Sequence, residues 1–321
     1  MNFASMDYFI AVARERNITR AAESLHITQQ TLSAHIAGIE KELGCQLILR
    51  RVPLELTYAG EVFLQYAEEI QKKLNAMGQE FGDISGNQKG VLRIGVAITR
   101  GHAIMPSLIG AFQRQYPQIM VQLVENANDK LREDLENGLT DLMIGNFPEA
   151  LPGIEIADFY QEEVVLAVSE RLLRQIPDNK NWHSEKKIRP GELDFLRKCP
   201  LLLNTKQDIA GKIGYRLLAE AGIVAMPRVT SCNMETLLGM CENGMGACFC
   251  PENLLKMTLS PEQKKKLRIF HFAADMRYMI RFGFLKQSYQ WTMISKFIDL
   301  ARRMEFEAGG EPPAVKPPKH P

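Results

Sequence analysis

The first 57 residues contain three short stretches whose apolar residues recur at the spacing of amphipathic helices. In the first stretch these residues lie three and four positions apart, and they are Met6, Phe9, Ile10 and Ala13. Asn17 has the side chain of a good N-cap for a second helix. Thr28 has the same role for a third helix, which we expect to end at Gly44.

A tight break at His26 and Ile27 separates the second and third predicted helices, and the small pair Ala21 and Ala22 lets them approach closely. Two short helices joined by such a turn are typical of a helix-turn-helix. The third helix opens with polar side chains suited to base edges, namely Gln29, Gln30, Ser33 and His35. Any small helical bundle has a similar pattern, so a DNA-binding role and a purely structural one both remain open.

Two short extended runs follow the third helix and flank a corner at Arg50 and Arg51, which predicts a hairpin, or wing, beside the helix. A guanidinium group donates two parallel hydrogen bonds, which suits the oxygens of a DNA phosphate. Residues 1–60 carry six Lys or Arg and six Asp or Glu. Because this segment is neutral, tight DNA binding requires arginines gathered on one surface and a second copy of the chain.

Residues 58–88 form one long amphipathic stretch, which predicts a single helix. Its apolar residues recur at intervals of three and four, and they include Val62, Tyr66, Ile70, Leu74, Met77 and Phe81. One interpretation is that this seam packs against its own domain. The other is that it pairs with the same helix of a second chain.

Apolar strand-like runs alternate with helical patterns over residues 91–303, which predicts an α/β domain. Residues 135–145 and 240–250 each combine the end of a helix, a glycine stop and a buried strand. This similarity favours two subdomains that face a cleft. Residues 308–321 contain five prolines and almost no large apolar side chains, so we expect 304–321 to form a disordered tail.

The composition narrows the class of protein. The chain has 321 residues, 24% of them charged and 45% hydrophobic, which is ordinary for a folded protein of two or three domains. A net charge of +1 means that any nucleic-acid surface is a local patch. The amino terminus lacks a signal-peptide pattern, no apolar run is long enough for a membrane span, and six cysteines are too few for a disulfide scaffold. We therefore expect a cytoplasmic protein without a membrane partner.

The sequence has no pattern typical of a zinc protease, a P-loop or a dinucleotide-binding loop, and its six histidines are scattered. We expect no enzyme, no catalytic or metal site, and no cofactor. Cys248 and Cys250 alternate in a predicted strand, so their thiols face the same way. Two buried structural residues are the simpler interpretation, and redox sensing is the alternative.

A candidate ligand site lies where the first predicted strand of the α/β domain leads into a helix. Thr99 opens this helix, and Arg100 and His102 lie beside it. Free N–H groups at a helix start, together with these side chains, suit a carboxylate or another small anion. The alternative is that Thr99 is only an N-cap and Arg100 only a solvated charge.

Residues 19–44 read TRAAESLHITQQTLSAHIAGIEKELG, which closely resembles the recurring pattern of the LysR-type transcriptional regulators, TRAAxxLxxxQxxxSxxIxxLExxLG. The resemblance extends over residues 6–66 and implies a winged helix-turn-helix over 1–57. Family members often carry proline where this chain has Gln30, and the wing looks about one residue short. In the implied complex with double-stranded DNA, Gln29, Gln30, Ser33 and His35 read bases, and Thr19, Arg20, Thr28, Arg50 and Arg51 contact the backbone.

The same resemblance implies that residues 58–88 are a linker helix that makes the protein a homodimer, and that dimers pair into tetramers. It also implies an effector domain similar to periplasmic solute-binding proteins, with subdomain I at 91–163 and 267–303 and subdomain II at 164–266. The chain then crosses between the subdomains near 160–164 and 266–270. RNA polymerase is a further candidate partner of such a regulator.

The implied effector pocket begins at the turn that carries Thr99. Carried over to this sequence, its residues are Thr99, Arg100, His102, Asn146, Phe147, Asn204, Thr205, Asn233 and Phe249. The expected function is sequence-specific transcriptional regulation controlled by a small anionic metabolite. Two other functions remain open, namely a solute-binding module whose helices serve only for assembly and a regulator that responds to thiol oxidation.

Overall fold

The computed structural model describes residues 2–51, 53–86, 89–176, 187–287 and 289–307. The chain divides into two compact units, Met1–Asn87 and Gln88–Pro321. Among the described residues, no helix combines the length and the apolar character needed to cross a bilayer.

The first unit consists of four helices and a small hairpin. In chain order these elements are α1 (Phe3–Glu15), α2 (Ile18–Ser24), α3 (Gln29–Leu43), β1 (Ile48–Leu49), β2 (Glu55–Leu56) and α4 (Tyr58–Ile84). The caps are confirmed: the side chain of Asn17 accepts backbone N–H bonds at the start of α2, and that of Thr28 does so at the start of α3. Gly44 ends α3 in the left-handed conformation, with φ of 69°.

The core of the first unit is formed by the inward faces of all four helices and the hairpin. Its fully buried side chains include Phe9, Leu32, Ile36, Ile39 and Leu47. The helix α4 contributes Phe63 and Ala67, which the sequence analysis did not single out. Gly60 allows α4 to approach the wing, because a Cβ at this position would lie 2.0 Å from the carbonyl oxygen of Leu47.

The second unit alternates strands and helices. Its first half contains β3 (Gly90–Val96), α5 (Ile98–Gln115), β4 (Ile119–Glu125), α6 (Asn128–Glu136), β5 (Leu142–Gly145), β6 (Ile154–Ser169) and α7 (Glu170–Leu173). After 3₁₀ turns at Pro190–Glu192 and Asp194–Lys198 come β7 (Leu201–Asn204), α8 (Ile209–Glu220), β8 (Pro227–Ser231), α9 (Met234–Glu242), β9 (Ala247–Pro251), α10 (Glu252–Thr258), α11 (Pro261–Lys264), β10 (Leu267–Phe270), β11 (Arg277–Leu285) and α12 (Thr292–Glu307).

The long strand β6 belongs to two sheets and so joins two lobes. In lobe I the strand order is β4-β3-β5-β11-β6, with β3 parallel to β4 and β5 and with β11 antiparallel to its neighbours. In lobe II the second half of β6 pairs with β9 and β10, and β7 lies between β9 and β8. Each lobe has its own apolar core.

The chain crosses between the lobes twice, and the sequence analysis located the first crossing more accurately than the second. Tyr160 packs in the core of lobe I and Val164 in that of lobe II, so β6 changes lobes within the predicted 160–164. The return was predicted too early. The strand β10 pairs antiparallel with β6 inside lobe II, and Phe272 and Met276 still pack in that core, so the chain returns only where β11 begins at Arg277.

The helix α12 extends into the segment predicted to form the disordered tail, which was expected to begin at residue 304. It continues to Glu307, so the first residues of the predicted tail are helical. The apolar face of this helix packs on the core of lobe I as far as Met304, which stabilises the last turns. Residues 308–321 lie outside the described part of the chain.

Candidate functional site

One face of α3 carries the polar side chains that were predicted to read DNA. Leu32, Ile36 and Ile39 are buried, and Gln29 and Gln30 are exposed. Ser33 is half-buried and lies one turn after Gln29. At 3.6 residues per turn, Gln30 lies about 160° around the helix axis from Leu32, so its side chain points away from the core. This face is therefore available to a partner.

His35 lies on a different face, which corrects its prediction as a base-reading residue. Its Nδ1 is 2.8 Å from the hydroxyl oxygen of Ser5, and its ring meets the edge of Tyr8 at a centroid distance of 4.8 Å. His35 comes three positions after Leu32, so it is rotated about 60° from Leu32 around the helix axis, in the direction opposite to Ser33. This spacing could have shown that His35 attaches α3 to α1.

The predicted backbone-contacting residues of α2 and α3 are clustered at two helix starts. Thr19 and Arg20 are exposed in the first turn of α2, and the Thr19 hydroxyl donates to the amide oxygen of Gln29 at 3.4 Å. The hydroxyl of Thr28 accepts the backbone N–H of Thr31 as the N-cap of α3. The positive ends of the two helix dipoles, with Arg20 beside them, favour an anionic partner.

Both arginines of the wing form ion pairs on the surface. A guanidinium nitrogen of Arg50 is 3.9 Å from a carboxylate oxygen of Glu40, and Arg51 pairs with Glu55. Glu40 also accepts the backbone N–H groups of Leu47 and Ile48, which holds the wing against α3. Exposed pairs of this kind contribute about 0–1 kcal/mol, so each arginine can exchange its carboxylate for a phosphate at little cost.

The predicted seam of α4 divides into two parts. Ile70 and Leu74 are half-buried, while Val62, Tyr66, Met77 and Phe81 are exposed. The exposed fraction is 61% for Tyr66 and 65% for Phe81. Because the buried residues Phe63 and Ala67 already attach α4 to its own core, the exposed stripe is a second apolar face that no described residue of this unit covers.

In the second unit, a cavity of about 30 Å³ lies between the lobes. Helix starts surround it: Ala97 precedes α5, Asn128 begins α6, and Asp208 precedes α8. The lining residues are Ala97, Arg100, Asn128, Asn146, Asn204, Asp208, Ile209, Met234, Pro251, Leu254 and Tyr278. Its volume is about that of one water molecule, so a larger ligand requires the lobes to move apart.

Arg100 is the buried cation of this cleft, and it already has a partner. Its Nη2 donates to Glu162 at 2.7 Å and its Nε to the hydroxyl of Tyr160 at 3.0 Å. The hydroxyls of Tyr160 and Tyr278 also donate to Glu162. Burial is the largest influence on Arg100 and lowers its pKa, but Glu162, Tyr160 and Tyr278 together raise it by more, so the guanidinium stays charged. The sequence analysis missed both Glu162 and the tyrosines, since they lie on strands distant in sequence.

Asp208 is a second carboxyl group at the cavity that the sequence analysis missed. One of its oxygens accepts the backbone N–H of Ala210 at 2.8 Å, as the N-cap of α8. Burial raises the pKa of this carboxyl, although the backbone N–H of Ala210 and the charge of Arg100 partly offset the effect. An acidic residue directly before the apolar start of a helix was the available signal.

His102 lies at the rim of the cleft and connects the lobes. Its Nδ1 is 2.8 Å from a carboxylate oxygen of Glu235, and the two residues belong to α5 in lobe I and α9 in lobe II. The imidazole is largely exposed and does not line the cavity. The pair therefore holds the lobes together on the outside of the cleft.

Of the other residues predicted to form the pocket, some line the cavity and others have a structural role beside it. Asn146 and Asn204 line the cavity, and Asn146 also donates to the carbonyl oxygen of Met279 at 3.0 Å. Asn233 caps α9, and Thr205 donates its backbone N–H to Asn204. The backbone of Thr99 lies in the first turn of α5, and its side chain is outside the described part of the structure.

Phe147 and Phe249 do not belong to the cavity, which corrects two further predictions. Phe147 packs with Leu131 and Met143 in a small core beside α6. Phe249 stacks on Phe272 in the core of lobe II, at a centroid distance of 6.2 Å. Phe147 lies beyond the end of β5, and both neighbours of Phe249 in β9, Cys248 and Cys250, belong to the same core.

The cysteines of lobe II are packed in its core. Cys199, Cys241, Cys248 and Cys250 are buried. Burial raises the pKa of Cys199 to about 11 and that of Cys241 well above its usual value. The thiol form of Cys199 and Cys241 is therefore favoured, which makes these two residues poor nucleophiles toward oxidants. The described residues contain no group of three or more His, Cys, Asp or Glu placed to hold a metal ion.

Comparison with known proteins agrees with both parts of this description. The family model of the bacterial regulatory helix-turn-helix protein, lysR family, matches residues 3–61, and that of the LysR substrate binding domain matches residues 85–305. The chain is 29% identical to the uncharacterized HTH-type transcriptional regulator YcgK of Bacillus subtilis, over 96% of this chain and 97% of that protein.

Two solved structures have the same fold. Full-length OxyR from Pseudomonas aeruginosa is 22% identical with a TM-score of 0.68, and the match covers 94% of this chain and 95% of that one. Full-length CbnR in complex with its target DNA is 24% identical with a TM-score of 0.61, over 94% and 99% of the two chains. Since the two family models span the helix-turn-helix and the two-lobed domain, the chain belongs to the LysR family of DNA-binding transcriptional regulators and carries its effector-binding domain.

Proposed function

We propose that α3 reads DNA bases through Gln29, Gln30 and Ser33, while Thr19, Arg20, Thr28, Arg50 and Arg51 contact the phosphates. The observation that carries this proposal is the exposed polar face of α3, which is separate from the face that packs in the core. Glutamine can form two hydrogen bonds with adenine in the major groove. Gln30 is fully available for this role because it has no packing function.

We propose that the active form of the protein is a homodimer, and that dimers pair into tetramers in the cytoplasm. The exposed stripe of α4 supports it, because monomeric proteins rarely leave a row of large apolar side chains in water. Two copies also double the number of phosphate contacts, which compensates for the neutral helix-turn-helix. RNA polymerase is the further partner that a transcriptional regulator of this kind would engage.

The cleft is proposed as the site of a small effector with an anionic group. The N-cap residues of α5 and α6 are Ala97 and Ala127, whose side chains cannot accept a hydrogen bond, which favours an anion at the first N–H groups of both helices. This differs from the sequence-based proposal in one respect: the N–H groups, and not the guanidinium of Arg100, receive the anion, because Glu162 occupies Arg100.

Ligand binding would act through the lobes. A ligand shifts the protein toward a new arrangement only if it binds that arrangement more tightly than the present one. The present cavity is too small for a metabolite, so the bound form requires lobes that are farther apart and a changed His102–Glu235 contact. No enzymatic step is part of this proposal, and burial and the raised thiol pKa values argue against redox sensing at Cys199 and Cys241.

The DNA-reading role can be tested by selecting preferred duplexes from a random library with the wild-type protein. Fluorescence anisotropy then compares the selected duplex with a scrambled one for wild type, Gln29→Ala/Gln30→Ala and Arg50→Ala. The double variant is expected to lose the preference, at about 1–3 kcal/mol for each base contact. Arg50→Ala is expected to weaken both duplexes and to reduce the salt dependence by about one unit of slope.

Matched controls exist in the second unit. Gln113 is an exposed glutamine on α5, and Arg132 is an exposed, ion-paired arginine on α6. Replacing either with alanine is expected to leave both duplex affinities unchanged. If the library yields no preferred sequence, or if Gln29→Ala/Gln30→Ala keeps the preference, α3 is not the reading element.

A further inference from the structure

The charges at the cleft do not balance once the internal contacts are counted. Arg100 and Glu162 neutralise each other at 2.7 Å, and the two tyrosine hydroxyls complete the hydrogen bonding of Glu162. This leaves Asp208, which lines the cavity and forms no ion pair among the described residues. Its hydrogen bonds come from the backbone N–H groups of its own helix. One carboxyl group at the cavity is therefore without a cationic partner.

A second hydrogen-bond acceptor at the cavity also favours a ligand that carries an N–H group. The side-chain oxygen of Asn128 is buried and has no hydrogen-bond partner among the described residues. Asn128 also lines the cavity, across from Asp208 in the other lobe. A buried acceptor without a donor costs free energy, and a ligand N–H group placed in the cavity removes that cost.

The two lobes present opposite polarity to the cavity. Lobe I contributes the starts of α5 and α6, whose N-cap residues are alanines without a capping side chain. Lobe II contributes the carboxyl group of Asp208, which caps α8 itself. A ligand with a carboxylate alone satisfies lobe I and leaves Asp208 facing an added negative charge.

We infer that the effector carries both a carboxylate, received by the N–H groups of lobe I, and an ammonium or similar N–H donor, received by Asp208. The ligand class is thus an aminocarboxylate, that is, an amino-acid-like zwitterion. This inference rests on the proposed role of the cleft as the effector site and makes it more specific. Such a ligand contacts both lobes through opposite charges, so its binding sets their separation.

Calorimetric titration of the full chain with four small probes of similar size tests the inference. The probes are 2-aminobutanoate, 4-aminobutanoate, butanoate and butylammonium. At least one zwitterion is expected to bind on the order of tenfold or more tightly than both singly charged probes. Asp208→Asn is expected to remove this advantage and to leave the affinity for butanoate the same or higher.

Asn is a good N-cap, so Asp208→Asn keeps the start of α8, and its thermal unfolding verifies that the domain is folded. Asp194→Asn is the matched control, because Asp194 is an exposed carboxylate of lobe II remote from the cavity lining. It is expected to bind all four probes like wild type.

Three results would overturn the inference. If butanoate binds as tightly as the zwitterions, the cleft is an effector site for simple anions, and only the charge class is wrong. If Asp208→Asn and Asp194→Asn behave alike, Asp208 does not receive the amine. If none of the probes binds, the aminocarboxylate class is rejected, and the DNA selection above decides independently whether the regulator function stands.

Discussion

Two arginine–glutamate pairs illustrate how differently the two units use the same chemistry. In the wing, Arg51 is 60% exposed and Glu55 is 43% exposed. In the cleft, Arg100 is 6% exposed and Glu162 is fully buried. The exposed pair is screened by water and contributes about 0–1 kcal/mol, whereas removing one member of a buried pair costs about 3–5 kcal/mol.

The difference determines which arginine can bind a partner. A phosphate can replace Glu55 beside Arg51, because both charges remain hydrated during the exchange. A ligand carboxylate cannot replace Glu162 at the same cost, because it would leave a buried carboxylate behind. The wing pair is therefore suited to recognition, and the buried pair attaches α5 to β6. Four predictions test this comparison, and they follow in order of decreasing effect.

Arg100→Met is expected to lower the free energy of unfolding by about 3–5 kcal/mol, because it leaves Glu162 buried without its cation. Urea unfolding of the full chain measures the loss. The double variant Arg100→Met/Glu162→Met removes both charges and is expected to recover most of the stability. The buried-pair argument is wrong if the double variant is no more stable than the single one.

His35→Ala is expected to lower the stability of the first unit by about 1–2 kcal/mol, since it removes the hydrogen bond with Ser5 and the contact with Tyr8. Its preference among DNA sequences is expected to remain that of wild type. Thermal unfolding and the anisotropy comparison measure the two effects. A changed base preference with unchanged stability would show instead that His35 belongs to the base-reading face.

Asp208→Asn is expected to raise stability at neutral pH, by less than Arg100→Met lowers it. Because burial raises the folded-state pKa of Asp208 above the unfolded value of about 3.9, the folded protein binds the proton more tightly. Wild type therefore loses stability as pH rises from the unfolded pKa through the folded one. The advantage of the variant should grow over that range and vanish at lower pH, as thermal unfolding across a pH series can show. An advantage independent of pH would contradict this assignment.

Glu55→Gln is expected to change the unfolding free energy by less than about 0.5 kcal/mol, because the pair with Arg51 is exposed. Its affinity for both selected and scrambled DNA should rise about two- to fivefold, since Arg51 is released and one negative charge is removed. Anisotropy at two salt concentrations measures this effect, and Glu136→Gln, which releases Arg132 in the second unit, is the control. A loss of affinity would show that Glu55 positions Arg51 for DNA.

The helix-turn-helix was largely predictable because its information is local. Asn17, Thr28 and Gly44 mark the ends of α2 and α3 through contacts with residues two to four positions away. The apolar spacing of α3 also separates its core face from its polar face. The error at His35 arose because polar character was taken as exposure, although its position beside Leu32 places it against α1.

The cleft was predicted in part. Arg100, Asn146 and Asn204 follow strands or begin helices, and they do line the cavity. Phe147 follows the cavity-lining Asn146 by one residue, Phe249 precedes the cavity-lining Pro251 by two, and both belong to cores instead. Asp208, Asn128 and Tyr278 were missed, because no local pattern shows that α8, α6 and β11 meet at one point.

Caps, periodicity and turn residues act over a few neighbouring positions, so the sequence by itself determined most elements, the helix-turn-helix and the two-lobed plan. Its resemblance to the LysR pattern indicated the family. Only the tertiary structure decided which charges are neutralised and which remain available. Arg100 and Glu162 are 62 positions apart in the chain, and Asp208 is a further 46 positions away. Burial makes these contacts important for stability, since an unpaired charge costs far more free energy inside the cleft than on the wing.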